Sequence, residues 1–165
     1  MSELIIQKAT IADIPQIEEM YKKRVLYNDS HGTHQWYLHE VTWEEFAKLY
    51  TIDEYFVGKV DDVVVCGMFL VDVDELYWPQ EAKGNALYLH KICVHPDYSK
   101  KGYSDALIQF FKDYTMKMGY PCARLDVREH KTKLREMYER NGFIYLKSGK
   151  FVEEFDTALY YYKEL

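Results

Sequence analysis

Residues 86–111 constrain the fold of this chain more than any other stretch, because three structural signals follow one another there. Residues 86–94 are apolar enough to form a buried strand, and Pro96 comes shortly after them. A basic turn containing Gly102 then leads into an apolar stripe at helical spacing, formed by Ala106, Leu107, Phe110 and Phe111. A strand, a turn and a helix in this order predict a mixed α/β fold.

The turn between this strand and helix has the features of an anion site. The first N–H groups of a helix lack intrahelical partners and carry partial positive charge, so they favour phosphate. Gly102 has no Cβ to block close approach, and Lys100 and Lys101 add positive charge. Residues 99–104 fit an ordinary solvated loop equally well, because they match neither a dinucleotide fingerprint nor a Walker loop.

Composition predicts a single globular domain over residues 1–165. A chain of 165 residues that is 48% hydrophobic and 29% charged has ordinary globular composition. Such a chain buries about two thirds of its unfolded surface without disulfides. Since no repeat, low-complexity tract or linker interrupts the sequence, we find no domain boundary.

Charge, cysteine spacing and hydropathy exclude several classes of protein. A formal net charge of -6 argues against a nucleic-acid partner and favours cationic substrates. Cys66, Cys93 and Cys122 are widely separated in apolar segments, which predicts buried, reduced thiols and no metal site. The N-terminus lacks a signal peptide and residues 63–71 are too short to span a bilayer, so we expect a cytoplasmic protein without a membrane partner.

The order of predicted elements is strand, two helices, three strands, helix, strand, helix and two strands. Thr10 with Asp13, and Thr42 with Glu45, resemble capping boxes at the first two helices, and the second helix turns Phe46 and Leu49 inward. Alternating β-branched residues on both sides of residues 59–62 predict a hairpin with an exposed acidic turn. The predicted fold is α/β (α+β), with a mixed, mostly antiparallel sheet of about six to seven strands and about four helices.

Two linked segments of the chain resemble the GNAT N-acetyltransferase superfamily. The first is VHPDY at residues 94–98, followed by Gly102 and by Ala106-Leu107. The second consists of LDV at residues 125–127, MYE at 137–139 and GF at 142–143. Because the separation and the element order are also similar to the family, the resemblance covers nearly the whole chain.

The resemblance implies acetyl-CoA as cofactor and assigns residues to it. Ile92, Cys93 and Val94 would lie beside the pantetheine arm, with main-chain groups of Ile92 and Val94 pairing with its amides. Lys131 stands where the family often has asparagine. The pyrophosphate would be wrapped by a run of residues that departs from the family at both serines and adds an acidic group: Ser99, Lys100, Lys101, Gly102, Tyr103, Ser104 and Asp105.

Acetyl transfer to an amine needs an oxyanion donor, a general acid and a route for the amine proton. The main-chain N–H of Cys93 or Val94 is the expected oxyanion donor. The resemblance places Tyr138 near the thioester sulfur as general acid, and a phenol with a reference pKa of about 10 is protonated at neutral pH; by itself, its spacing fits a core tyrosine. Asp126 is the preferred base because it faces away from Leu125 and Val127; His90, Glu129 and a water chain remain alternatives.

The acceptor is predicted to be a primary amine of a small molecule or peptide. Its groove could have an aromatic lining from His31, His34, Trp36, Tyr37, His39, Tyr145, Phe151 and Tyr160. The histidines lack a metal-binding spacing. Asp72, Asp74 and Glu75 could attract a cationic amine, although a solvated acidic loop explains them better.

Two function classes therefore stay open. The first is an acetyl-CoA-dependent N-acetyltransferase. The second is a non-catalytic CoA-binding or interaction protein with a degenerate GNAT fold, which the departures at Ser99, Ser104, Asp105 and Lys131 motivate. The 16 tyrosines would also permit a homodimer.

Overall fold

The structure is a computed structural model that describes residues 2–152 and 155–163. Within that part of the chain the α-helices are α1 (Ile14–Ser30), α2 (Trp43–Phe46), α3 (Tyr103–Lys117) and α4 (Thr132–Arg140). The strands are β1 (Ile5–Lys8), β2 (Tyr55–Val60), β3 (Val63–Val71), β4 (Leu87–Val94), β5 (Ala123–Arg128), β6 (Ile144–Val152) and β7 (Phe155–Tyr162). The element order is the predicted one.

The strands form one sheet in the order β1-β2-β3-β4-β5-β7-β6. The pairs β1–β2, β2–β3, β5–β7 and β6–β7 are antiparallel, whereas β4 and β5 are parallel. A parallel pair needs a long crossover connection, and α3 lies in the segment that joins these two strands. The prediction of a mixed, mostly antiparallel sheet with four helices is confirmed.

The chain divides into two compact units. The first unit comprises the described residues up to Phe69 together with Lys91–Leu107. The second comprises Leu70–His90 and the described residues from Ile108 onward. The division between the units falls inside β3, β4 and α3, and the single domain stays a prediction.

The core of the first unit forms around α1. Thr10 and Asp13 make the predicted capping box, in which the Thr10 N–H donates to the Asp13 carboxylate at 2.8 Å. Helix α1 buries Ile17, Tyr21 and Val25, whose spacing places them on one face. Its last turn extends to Ser30.

The hairpin of β2 and β3 has the predicted turn. Asp61 and Asp62 have φ angles of 50° and 64°, and both are exposed. Positive φ at both central residues is typical of the type I′ turn, whose twist matches that of the two strands, and aspartate tolerates it better than most residues. Helix α2 is capped by Thr42 as predicted, but Leu49 is 78% exposed, so its predicted inward orientation is wrong.

The core of the second unit forms between β5, β7 and α4. Ala123, Leu125 and Val127 are buried, whereas the residues between them are only partly buried, which confirms the alternation predicted for β5. Helix α4 ends in a C-terminal cap, where Gly142 has a φ of 90° and the Phe143 N–H donates to the Tyr138 carbonyl at 3.0 Å.

Cys66, Cys93 and Cys122 are buried thiols, as predicted. Burial raises the pKa of Cys66 to about 12 and also raises the pKa of Cys93 and of Cys122, so each thiol stays protonated near neutrality. Across residues 2–152 and 155–163, none of the helices combines the length and the apolar character that crossing a bilayer requires.

Candidate functional site

The predicted anion turn lies in the first unit, between β4 and α3. A short 3₁₀ turn over Pro96–Tyr98 follows β4, and the His95 ring accepts the Asp97 N–H at 3.1 Å. Lys100 and Gly102 then take positive φ angles of 62° and 80°, which bring the chain to the first residue of α3. A Cβ on Gly102 would meet open space, so packing does not require a glycine here. The glycine is favoured because of the positive φ, and without a side chain it leaves the turn accessible.

The side chains of this turn differ in exposure and in the element that carries them. Lys100 and Lys101 are exposed, while Ser104 and Asp105 lie in the first turn of α3. The Ser99 hydroxyl donates to the Pro96 carbonyl at 2.8 Å, so this serine stabilises the turn. The N-terminus of a 15-residue helix and two lysines can hold an anion, with Asp105 as an opposing charge.

Arg24 on α1 is a residue of this site that sequence reasoning missed. Its Nε and Nη2 donate to the Val94 carbonyl at 2.9 and 2.7 Å, and Nη2 also donates to the Ser99 hydroxyl at 3.3 Å. Arg24 therefore fixes the end of β4 and the start of the turn together. The sequence feature that could have identified Arg24 is its position seven residues after Ile17, which places it on the buried face of α1.

The second half of β4 is shaped to present main-chain groups. Parallel pairing with β5 covers Leu87–Leu89, and Lys91 then has a φ of 58°. The His95 N–H donates to the Val65 carbonyl of β3 at 2.8 Å. Because main-chain groups alternate between the two edges of a strand, the N–H groups of Val94 and Ile92 point to the opposite edge, and that of Cys93 points toward β3.

Tyr138 lies on α4 in the second unit and is 4% exposed. Its ring packs against Phe143 and Tyr160, with ring centroids 6.2 and 6.5 Å away. Burial, and after it the charge of Asp126, raises the pKa of Tyr138, so the phenol holds its proton. Within the described part of the chain its hydroxyl has no hydrogen-bond partner. Tyr138 therefore packs like a core tyrosine, but its protonated hydroxyl donates no hydrogen bond to another described residue.

Asp126 and His90, two of the predicted bases, lie next to each other and next to Asp74. His90 Nε2 is 3.2 Å from Asp74 Oδ2, and His90 Nδ1 is 3.6 Å from Asp126 Oδ1. One oxygen or nitrogen from each residue lies within 4.8 Å of the others. Because the two carboxylates face opposite nitrogens of one ring, the imidazole occupies the space between them. The third predicted base, Glu129, follows β5 and its charge acts on Arg135.

The interpretation of Asp74 as part of a solvated acidic loop is wrong. Asp74 is 7% exposed, and its Oδ1 accepts the N–H groups of Leu76 and Tyr77 at 3.1 and 2.9 Å. Asp72 pairs with exposed Lys83 at 2.5 Å, and Glu75 is exposed. Asp74 is buried because it caps the turn that follows it, a role that acidic composition alone does not reveal.

The remaining predicted site residues have mixed positions. Lys131 precedes α4, and partial burial lowers its pKa. Trp36 is buried against Tyr21, with ring centroids 5.4 Å apart, so it does not line an open groove. Tyr160 is also buried, and its hydroxyl bonds Arg135 and Glu139. Among the predicted groove residues that are exposed are His31, His34, Tyr37, His39 and Tyr145.

A cavity of about 570 Å³ in the second unit contains none of the predicted site residues. Arg124 lies in its wall, stacked 4.8 Å over Trp78 and donating to the Tyr88 hydroxyl at 2.8 Å. This arginine is already partnered inside the fold. Tyr138 and Asp126 are not among the residues that line this cavity.

Comparison with known proteins gives the family. Residues 17–143 match the family described as Acetyltransferase (GNAT) family. No curated protein sequence matches the chain.

Three similar solved structures share the fold. A GNAT-family acetyltransferase from Listeria monocytogenes is 19% identical, with a TM-score of 0.76 and coverage of 98% of this chain and 95% of that chain. The PaiA N-acetyltransferase of Thermoplasma acidophilum, solved with coenzyme A, is 15% identical, with a TM-score of 0.71 and coverage of 98% and 99%. A Salmonella typhimurium protein solved with its cofactor acetyl-CoA is 18% identical, with a TM-score of 0.66 and coverage of 97% and 93%.

Since the matched segment spans more than half of the sequence and the fold agrees over nearly all of it, this chain belongs to the acetyltransferase (GNAT) family.

Proposed function

We propose that this protein transfers the acetyl group of acetyl-CoA to a primary amine of a small molecule or peptide. The observation that carries the proposal is β4, where pairing with β5 covers Leu87–Leu89, a positive φ follows at Lys91, and a basic turn leads into α3. The GNAT family and the cofactors of the Salmonella and Thermoplasma structures support the same ligand.

The residues of the first unit fit a CoA-type ligand. Main-chain groups of Ile92 and Val94 lie on the edge of β4 that does not bond β3, so they can pair with pantetheine amides like an added strand. The Val94 carbonyl already accepts two hydrogen bonds from Arg24. The main-chain group that Val94 can offer to a ligand is therefore its N–H. Lys100, Lys101 and the N-terminus of α3 would bind the pyrophosphate.

The ligand would supply an acetyl thioester, and the protein would supply the groups that stabilise its charges. The N–H of Val94 is the better oxyanion donor, because the Cys93 N–H points toward β3; in that role the Val94 N–H does not pair with a pantetheine amide, and Ile92 makes that pairing. Tyr138 would donate its proton to the leaving sulfur, since its hydroxyl is protonated and has no partner among the described residues. Asp126 would accept the amine proton, with His90 beside it.

The acceptor that fits these charges is a cationic amine. Two carboxylates, Asp74 and Asp126, lie in the partly buried cluster around His90 and attract an ammonium group more strongly than they would in water. The net charge of -6 acts in the same direction at longer range.

Ligand binding and turnover test this function separately. Acetyl-CoA at about 100 times its dissociation constant adds about 2.7 kcal/mol of stability, so melting should rise by about 5 to 11 °C. Release of CoA thiol across a panel of amines, followed by mass spectrometry of the products, measures transfer. No melting shift with millimolar acetyl-CoA contradicts the proposal, whereas binding without CoA release across the panel favours the non-catalytic alternative.

A matched pair of variants tests the pyrophosphate turn. Replacing Lys100 and Lys101 together by glutamine should weaken acetyl-CoA binding by about tenfold, as expected for lost charge-assisted hydrogen bonds. The control replaces Lys22 and Lys23, two exposed lysines of α1, by glutamine and changes the net charge equally. Equal affinities of the two double variants would remove the turn from the binding site.

A further inference from the structure

We propose that Asp74, His90 and Asp126 form a proton relay in which Asp126 takes the proton of the acceptor ammonium, His90 stores it, and Asp74 is a positioning residue for His90. This inference rests on the proposed function, which needs a deprotonated amine. The relay lies entirely within the second unit. Asp74 is its new member, since neither the motif around Tyr138 nor the spacing along β5 points to it.

Solvent exposure orders the three groups along the relay. The Asp126 side chain is 19% exposed, that of His90 14% and that of Asp74 4%. The outermost group is therefore a carboxylate that an incoming amine can reach, and the innermost is a carboxylate whose Oδ2 faces His90. In the proposed relay, the His90 imidazole is the next proton acceptor after Asp126.

The geometry fits the protonated imidazole better than the neutral one. A neutral imidazole has one N–H, so it can donate to only one of the two carboxylates that face its nitrogens, whereas an imidazolium can donate to both. Asp74 Oδ2 is buried and has no aligned hydrogen bond, although His90 Nε2 is 3.2 Å away. The 3.6 Å separation of His90 Nδ1 and Asp126 Oδ1 is too long for a hydrogen bond. An imidazolium at His90 directs one N–H toward each of the two carboxylates.

Asp74 is held in place as a carboxylate. Burial opposes its ionisation, but His90 and the N–H groups of Tyr77 and Leu76 lower the pKa of Asp74 below its usual value. The two N–H bonds use Oδ1 and leave Oδ2 directed at His90. Asp74 therefore orients the ring and keeps a negative charge beside it.

Among the described residues, Tyr77, Tyr88 and Tyr138 do not exchange protons near neutrality. Burial, and after it Asp126, raises the pKa of Tyr77 to about 12. Burial also raises the pKa of Tyr88 and of Tyr138, so these phenols stay neutral. Strand β5 also carries two arginines, Arg124 and Arg128, beside the cluster's Asp126. Because Asp74 stays ionised, His90 and Asp126 are the two groups of this cluster through which the proposed relay moves a proton.

The proton balance of the transfer closes without a further reactant. The ammonium gives one proton through Asp126 to His90, and the nitrogen lone pair forms the new C–N bond. The C–S bond breaks with its electron pair on sulfur, which takes the proton of Tyr138. The second proton of the nitrogen restores the Tyr138 phenol, and His90 releases its proton to solvent, so each turnover releases one proton.

An NMR titration of His90 tests the coupling to Asp74 without requiring turnover. The His90 ring signal is identified by its loss in His90→Gln, and its titration midpoint is compared in the wild type, Asp74→Asn and Asp72→Asn. Asp74→Asn should move the midpoint to lower pH by about one unit, because a neighbouring anion favours the imidazolium. Asp72→Asn removes the same charge from the same loop, where Asp72 pairs with Lys83, and should leave the midpoint in place.

The kinetic readout is the pH dependence of kcat/KM with any amine that the panel identifies. Asp74→Asn should move the acidic limb of kcat/KM to lower pH together with the NMR midpoint, and His90→Gln should lower kcat about 100-fold. Equal effects of Asp74→Asn and Asp72→Asn, or wild-type turnover in His90→Gln, would overturn the relay. If Asp74→Asn does not fold, Asp126→Asn is read in the same NMR titration, with the same expected direction.

Two further experiments distinguish failure of the relay from failure of acetyl-CoA binding and from a metal-dependent site. Failure of acetyl-CoA binding overturns the proposed function, while the NMR midpoint still decides whether Asp74 acts on His90. If EDTA abolishes turnover and added Zn²⁺ or Mn²⁺ restores it, the cluster is a cation site and the relay is overturned. Turnover unchanged by EDTA, with the shifted midpoint, supports the relay.

Discussion

The two units each contain a buried chain of polar side chains, and the two chains differ in charge and in hydrogen bonding. In the first unit the Tyr55 hydroxyl donates to the Tyr21 hydroxyl at 3.0 Å, which donates to the Lys91 carbonyl at 2.5 Å. In the second unit, His90 lies between two carboxylates, and Asp74 Oδ2 has no aligned hydrogen bond. The chains involve consecutive residues of β4.

The comparison contrasts a hydrogen-bonded neutral network with the buried charges of the proposed relay. Burial raises the pKa of both Tyr21 and Tyr55, so their chain is neutral, and each hydroxyl donates a hydrogen bond. A satisfied neutral network rigidifies a core at little cost. An incompletely bonded buried carboxylate is costly, and native proteins keep such groups mainly where chemistry needs them.

The largest expected effect distinguishes two phenols. Tyr138→Phe should lower turnover by about 100-fold or more and leave acetyl-CoA affinity nearly unchanged, because only proton donation to the leaving sulfur is lost. Tyr55→Phe removes the same atom from the structural chain and should leave turnover within about twofold, at a cost of about 0.5–1.5 kcal/mol in stability. Steady-state kinetics and urea denaturation measure both variants.

Equal losses of turnover in Tyr138→Phe and Tyr55→Phe would contradict the assignment of Tyr138 as acid. They would also remove the contrast between the chains, since a structural hydroxyl would then matter as much as a catalytic one.

A second prediction concerns the space that the structural chain occupies. A Cβ on Gly67 would clash with the Tyr55 hydroxyl and lie 2.6 Å from two of its ring carbons. Because Tyr55 is fully buried and cannot move aside, Gly67→Ala should lower the free energy of unfolding by about 1–3 kcal/mol. Urea denaturation measures this loss. The loss should shrink in a Tyr55→Phe background, and a neutral Gly67→Ala would show that the ring adapts.

The sequence predicts regular features better than contacts between distant segments. The order of elements follows from hydrophobic periodicity and capping residues, and the orientation of Asp126 follows from the alternation of β5. Periodicity and capping do not predict the roles of Arg24 and Asp74, because their partners, Val94 and His90, lie far away in sequence. Such charges look solvated until the fold removes them from water.

The smallest expected effect compares a structural carboxylate with the one in the relay. Asp13 pairs with Lys59 at 2.8 Å, and although burial opposes it, Lys59 and the Thr10 N–H lower the pKa of Asp13. The pKa of Asp74 is also lowered. Both folded-state values lie below the unfolded value of about 3.9, so the unfolded state binds protons first as pH falls. The stabilisation is present above about pH 4 and is lost as pH falls through the folded values.

Urea midpoints measured between about pH 3 and 6 should therefore fall toward acid in the wild type and fall less in Asp13→Asn and in Asp74→Asn. The two variants should differ in kinetics, because Asp13 belongs to the first unit and has Lys59 as its partner, whereas Asp74 faces His90. Asp13→Asn should keep the wild-type pH profile of kcat/KM, and Asp74→Asn should not. A profile that moves equally in both variants would mean that net charge, and not contact with His90, sets the acidic limb.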